Sequence, residues 1–169
     1  MSSHLDRLRQ ELQSVLQGAT PAGLAYAPAG KWNTGQILEH LFLSYTGTTK
    51  GLMKCLEKGT PLATRSSAPI RTWLLLKTGY FPTGVNAPRV AVPRGLPTDE
   101  VQRTIFSEIE IMASKLDECE RKFGADTTLF DHPILGSMTA EQLRKLHWLH
   151  GRHHAKQMRD RMGKSRPQV

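Results

Sequence analysis

Long hydrophobic runs are missing from this 169-residue chain. No apolar stretch approaches the roughly 20 residues that a helix needs to span a bilayer, which argues against a membrane-spanning helix. The opening residues Met1-Ser2-Ser3-His4-Leu5-Asp6-Arg7 lack the basic-then-apolar order of a secretory signal. A soluble, cytoplasmic protein of one domain over 1–169 is the expectation. Cysteine is scarce: Cys55 and Cys119 are the only two, each in a predicted helix and neither beside a partner. That excludes a CxxC redox motif and a zinc knuckle. Both read as reduced core or surface thiols, with a disulfide between them left open. Aromatic residues make up only 7% of the chain, and none interleave with basic residues as they do in single-strand or RNA-binding motifs. The net charge of +8 invites an anionic partner. The cations are spread along the chain, however, and the densest block, Arg159-Asp160-Arg161-Met162-Gly163-Lys164-Ser165-Arg166, reads as a solvated helix end. Nucleic-acid binding is therefore not expected.

No convincing strand pattern and no internal repeat occurs. What the chain has in quantity is helical periodicity. Leu5, Leu8, Leu12, Val15 and Leu16 predict a first helix over 3–17, followed by a Pro- and Gly-rich loop from Gly18 to Gly30. Asn33 with Gln36 forms a capping-box pattern that opens a second helix, which Gly59-Thr60-Pro61 stops. Six of the ten prolines fall in residues 60–98, a long crossover with a short helix at Ile70–Lys77. A third helix runs from Thr98, read as its cap, to Phe123. Thr139 and Gln142 open a last helix that reaches about Arg161. The expected class is all-α, with four long helices, short links 1–2 and 3–4, and one long crossover between helices 2 and 3. That arrangement is one way to close a four-helix bundle.

Histidine is concentrated. Four of the seven histidines lie in His147-Trp148-Leu149-His150-Gly151-Arg152-His153-His154. On a helix, His150 and His154 stand one turn apart on one face, a spacing that lets two imidazoles grip one metal ion. His147 continues that inward face and reads as able to replace one of these ligands or to orient one by a hydrogen bond. His40, on or beside the apolar stripe of the second helix, is the one histidine able to join from there. Three neutral imidazoles would leave coordination positions open, the pattern of catalytic rather than structural zinc. The plainer alternative is a satisfied half-buried His40 and a solvated histidine cluster. His153 reads as supporting or exposed, and His132 as packing its loop or lining the pocket. Glu39 reads as facing solvent in preference to a ligand, and Trp32 and Trp73 as core or rim aromatics.

The string Lys31-Trp32-Asn33-Thr34-Gly35-Gln36-Ile37-Leu38-Glu39-His40-Leu41 resembles the first-ligand helix of the DinB/YfiT-like metalloprotein superfamily. His150-Gly151-Arg152-His153-His154 resembles its second motif, whose first and last histidines bind metal. His132-Pro133-Ile134-Leu135-Gly136-Ser137-Met138-Thr139, followed by the His-rich helix and Gln157, is similar to the DUF1569 branch. The resemblance implies an up-down-down-up four-helix bundle, a divalent transition metal (zinc or nickel) on His40, His150 and His154, and a homodimer. It also implies the activity of the characterised relatives, thiol-dependent transferases and isomerases that use low-molecular-weight thiols. An open metal binding the sulfur would lower its pKa, and Arg71, Lys77, Arg89 and Arg94 could hold the carboxylates of an anionic thiol. A metal-dependent hydrolase is the sister reading, since the same ion would acidify water. A non-catalytic metal-binding or stress-associated interaction protein is the alternative from a different class.

Overall fold

The computed structural model describes residues 3–64, 69–81 and 86–164, apart from the side chains of Arg71 and Lys164. Among the crossover and tail residues singled out above, Pro82, Ser165 and Arg166 lie outside the described residues, as does the side chain of Arg71. The protein is mostly helical: α1 (His4–Leu16), α2 (Pro21–Ala25), α3 (Thr34–Lys58), α4 (Ile70–Thr78), α5 (Thr98–Phe123) and α6 (Ala140–Lys164). A 3-10 turn at Arg89–Ala91 interrupts the crossover, and a hairpin of β1 (Phe130–His132) and β2 (Gly136–Met138) precedes α6.

The local signals act as the chemistry dictates. Ser3 and Asp6 form a reciprocal capping box on α1, as do Asn33 and Gln36 on α3. Thr139 and Gln142 exchange the same pair of bonds, at 3.3 and 3.0 Å, at the start of α6. Thr98 departs from expectation. It is the first residue of α5 rather than its cap, Pro97 precedes it, and no side chain caps that end. The 18–30 loop contains α2, whose single turn starts at Pro21 with Thr20 accepting from the Gly23 N–H. The strands are a second departure. They are only three residues long, too short to show an alternating pattern. Their turn is fastened by His132, whose Nδ1 accepts from the N–H groups of Ile134 and Leu135, each at 3.2 Å.

Each long helix contributes one apolar stripe to a common core. Leu5, Leu8, Leu12 and Val15 come from α1, and Ile37, Leu38, Leu41, Tyr45 and Leu52 from α3. From α5 come Val101, Ile105, Ile109, Met112 and Leu116, and from α6 Leu143, Leu146, Ala155 and Met158. The most extensive contacts run between α3 and α5 and between α1 and α6, with α6 also against α3. That last contact brings His40 opposite His150 and His154. Cys55 and Cys119 are both buried in this core as free thiols, with burial pushing Cys119 up to about 11. Neither can act as a thiolate near neutral pH. Among the described residues no helix is long and apolar enough to cross a membrane.

Gly151, between the histidines of α6, is required by close approach. A Cβ there would lie 2.1 Å from Leu8 Cδ1 and 3.3 Å from the Tyr45 hydroxyl. Leu8 is itself fully buried and has nowhere to swing. Gly151→Ala should destabilise the protein by about 1–2 kcal/mol, the strain of overpacking exceeding the gain in helix propensity. Urea denaturation checks this; a variant more stable than wild type would show that α1 yields.

Candidate metal centre

Three imidazoles converge where α3 faces α6. His150 Nε2 lies 3.1 Å from His40 Nε2 and 3.0 Å from His154 Nε2. One ring nitrogen from each residue falls within 4.8 Å of the others. Among the described residues this is the one group of His, Cys, Asp or Glu with metal-holding geometry, and no fourth such side chain joins it.

The outward nitrogens are already committed. His40 Nδ1 sits 2.7 Å from the Ala91 carbonyl. A carbonyl only accepts, so Nδ1 carries the proton and Nε2 presents a lone pair. His154 Nδ1 donates to Gln157 Oε1 at 3.0 Å, and the amide nitrogen of Gln157 donates to His153 Nε2 at 3.0 Å. His154 Nε2 is therefore also a bare lone pair. His150 Nε2 faces both. It can donate to one of them at most, which leaves at least one pair of lone pairs opposed about 3 Å apart. A cation held by these three nitrogens would relieve that repulsion. Tetrahedral zinc with bonds of about 2.0–2.1 Å holds its nitrogens about 3.3 Å apart, close to the spacing found. The donor set fits a divalent transition metal that favours imidazole.

The protonation states agree. Burial lowers His40, although its bond to Ala91 opposes the shift. Burial first, then its histidine neighbours, holds His150 well below the usual value, and burial pushes His154 to about 3. Near neutral pH all three rings are neutral, the form that ligates.

Around the donors the sequence has built a support. Glu39 contradicts the expectation of a solvent-facing carboxylate: it is 2% exposed. Its two oxygens accept from the N–H of Arg94 at 2.7 Å and of Gly95 at 3.1 Å. Adjacent residues of α3 thus hold two points of the crossover, Glu39 at 94–95 and His40 at the Ala91 carbonyl. The ring of Trp32 packs 5.2 Å from that of His40, and Phe81 packs 5.7 Å from His150 and 5.3 Å from His153. These aromatics are rim residues of the centre. Trp73 is exposed, with Lys77 Nζ 4.6 Å over its ring.

His147 and His132 stand apart from the cluster. His147 is buried, its Nε2 2.9 Å from Thr48 Oγ1 and its ring edge-on to Tyr45. It belongs to the polar interior behind the centre, and burial pushes it to about 3. His132 fastens the hairpin turn. Of the cations proposed for an anionic substrate, Arg89 and Arg94 are exposed and Lys77 is engaged with Trp73.

The family described as Protein of unknown function (DUF1569) matches residues 3–161. The chain belongs to this family. No curated protein matches it significantly, and no solved structure does. The DUF1569 match spans every element of the centre, from Trp32 and His40 through the crossover to Gln157. Sequence reasoning singled out the three histidines that this DUF1569 chain brings together but missed Ala91, because a backbone carbonyl leaves no mark in residue identity.

Glu39→Ala should weaken metal binding about 10–100-fold although every donor is intact, since it frees the loop that orients His40. A competition titration with a chromogenic chelator measures this; unchanged affinity would mean that the Ala91 carbonyl needs no such anchor.

Proposed function

We propose that this chain is a metal-dependent enzyme, a DinB-like domain in an up-down-down-up four-helix arrangement. His40, His150 and His154 would hold one zinc or nickel ion, and the substrate class is a low-molecular-weight thiol that the protein uses in S-transfer. The observation that carries the metal reading is the pair of fixed tautomers: His40 and His154 aim bare lone pairs at a common point shared with His150. When bound, the ion supplies Lewis acidity that brings a coordinated thiol to its thiolate near neutral pH. The thiol itself comes from outside, because Cys55 and Cys119 are buried. Three protein donors with no fourth carboxylate or thiol among the described residues favour a catalytic over a structural ion. The chain's own residues do the positioning: Ala91 and Gln157 fix two rings, Glu39 anchors the crossover, and Trp32 and Phe81 shield the flanks from water.

Cobalt substitution tests the open position. The cobalt protein, titrated with a small thiol, should gain a sulfur-to-cobalt charge-transfer band in the near ultraviolet and keep the intensity of four-coordinate d–d bands. A spectrum that does not respond to thiol would overturn the thiol reading. A response to hydroxide alone, as a pH-dependent d–d change, would move the assignment to hydrolysis.

A further inference from the structure

From Gly59 to Thr98 the sequence contains five Lys and Arg and not one Asp or Glu. The remaining chain holds all fifteen acidic residues. The crossover therefore accounts for most of the net charge of +8 and has no acid with which to neutralise itself.

The same segment carries most of the large apolar side chains that the described residues expose: Ile70, Trp73, Leu74, Tyr80, Val90 and Val92. Helix α4 buries Thr72, Leu75 and Leu76 and turns Ile70, Trp73, Leu74 and Lys77 outward. Those four follow i, i+3, i+4, i+7 and so share one face. Ile70 is 84% exposed, Trp73 55% and Leu74 54%. Tyr80, just beyond the helix, is 66% exposed. The helix is not loosely held. Thr72 Oγ1 donates to the Leu135 carbonyl at 2.7 Å, and Gly79 caps the helix in the left-handed region with Leu149 and Arg152 close behind it. A fixed helix thus presents indole and branched aliphatic groups to water beside a lysine, with the exposed phenol of Tyr80 just past its end, in a segment without acids.

We infer that the outer face of α4 docks this protein onto an anionic lipid surface. Trp and Tyr favour the boundary between headgroups and acyl chains, aliphatic side chains enter beneath them, and Lys and Arg engage lipid phosphates. A second copy of the chain fits this face less well. A two-fold contact sets the stripe against itself, bringing together two basic crossovers with no acid in either to pair with them. Nucleic acid would neutralise the charge but leave Ile70 and Leu74 without a partner. Phe81, three residues beyond α4, packs on His150 and His153, so docking would bring the histidine centre to the lipid interface. The inference stands without any metal at that centre.

Flotation of the full chain with lipid vesicles tests it. The chain should float with phosphatidylcholine vesicles that contain phosphatidylglycerol at low salt, and not with phosphatidylcholine alone. High salt should release it, as screened surface charges require. A Trp73→Ser/Leu74→Ser double variant alters only exposed side chains and should keep its circular dichroism and melting temperature while binding about tenfold more weakly. Lys77→Glu should weaken binding through charge. Failure of the wild type to float with anionic vesicles would overturn the inference, as would a double variant that floats equally well. A wild-type dimer that the double variant converts to monomer would assign the stripe to a second copy instead.

Discussion

His150→Ala and His147→Ala should give opposite phenotypes, although the two residues lie one turn apart on α6. His150 Nε2 is within 3.1 Å of both other donor nitrogens. Removing it leaves two imidazoles on different helices, and zinc affinity should fall by about three orders of magnitude, the loss of one of three protein ligands. The melting temperature without metal should barely change, since the variant also removes a buried lone-pair conflict. His147 makes no contact with the centre's donor atoms; it fills the interior behind Tyr45 and bonds Thr48. His147→Ala should keep one metal per chain and lose about 2–4 kcal/mol of stability, from the cavity and the orphaned Thr48 hydroxyl. Chelator competition and urea denaturation on both variants separate these outcomes. Loss of metal from His147→Ala would mean that the centre draws on the polar interior, and the donor assignment would need revision.

The second large effect is acid sensitivity beginning well above the carboxylate range. Burial pushes His147 to about 3, against about 6.5 in the unfolded chain. A depressed histidine favours the fold while it is neutral. Its contribution is complete above about pH 6.5 and is lost as pH falls from there toward 3, because the unfolded state takes up the proton first. The slope in that window is about 1.4 kcal/mol per pH unit from His147. Between pH 7 and pH 5 it should cost about 2 kcal/mol. His132, which burial pushes to about 4, adds less because its ring is only half-buried, while in the metal-free protein His150 and His154, also held low by burial, add in the same direction. Urea denaturation with chelator present, so that metal linkage does not contribute, should show this fall. It should shrink in a His147→Phe background. Stability that stays flat down to pH 5 would mean that His147 is hydrated in solution.

Much of this was legible in the sequence because it is local. Caps at Asn33 and Thr139, and stripes such as Leu5–Leu8–Leu12, depend on residues within a turn or two, and those helices formed where expected. His150 and His154 were legible for the same reason, since helical spacing alone puts them on one face. The features that sequence reasoning missed are long-range. Glu39 looks like a surface residue until the crossover returns and offers it two backbone donors 55 and 56 residues away. His147 shares the helical spacing of His150 and His154, but Thr48 on the facing helix claims it. Three-residue strands carry too little pattern to be seen, and the turn they flank depends on the position of one ring nitrogen of His132.

The central claim is that one ion sits between α3 and α6, and metal content tests it most directly. Untagged protein reconstituted with zinc or nickel, then desalted, should contain one metal per chain by plasma mass spectrometry. His40→Ala and His154→Ala, which remove a donor from opposite sides, should each contain none while keeping the helical circular dichroism of wild type. A wild-type chain that takes up no metal, or variants that keep their full complement, would contradict the assignment of these three histidines as one metal centre.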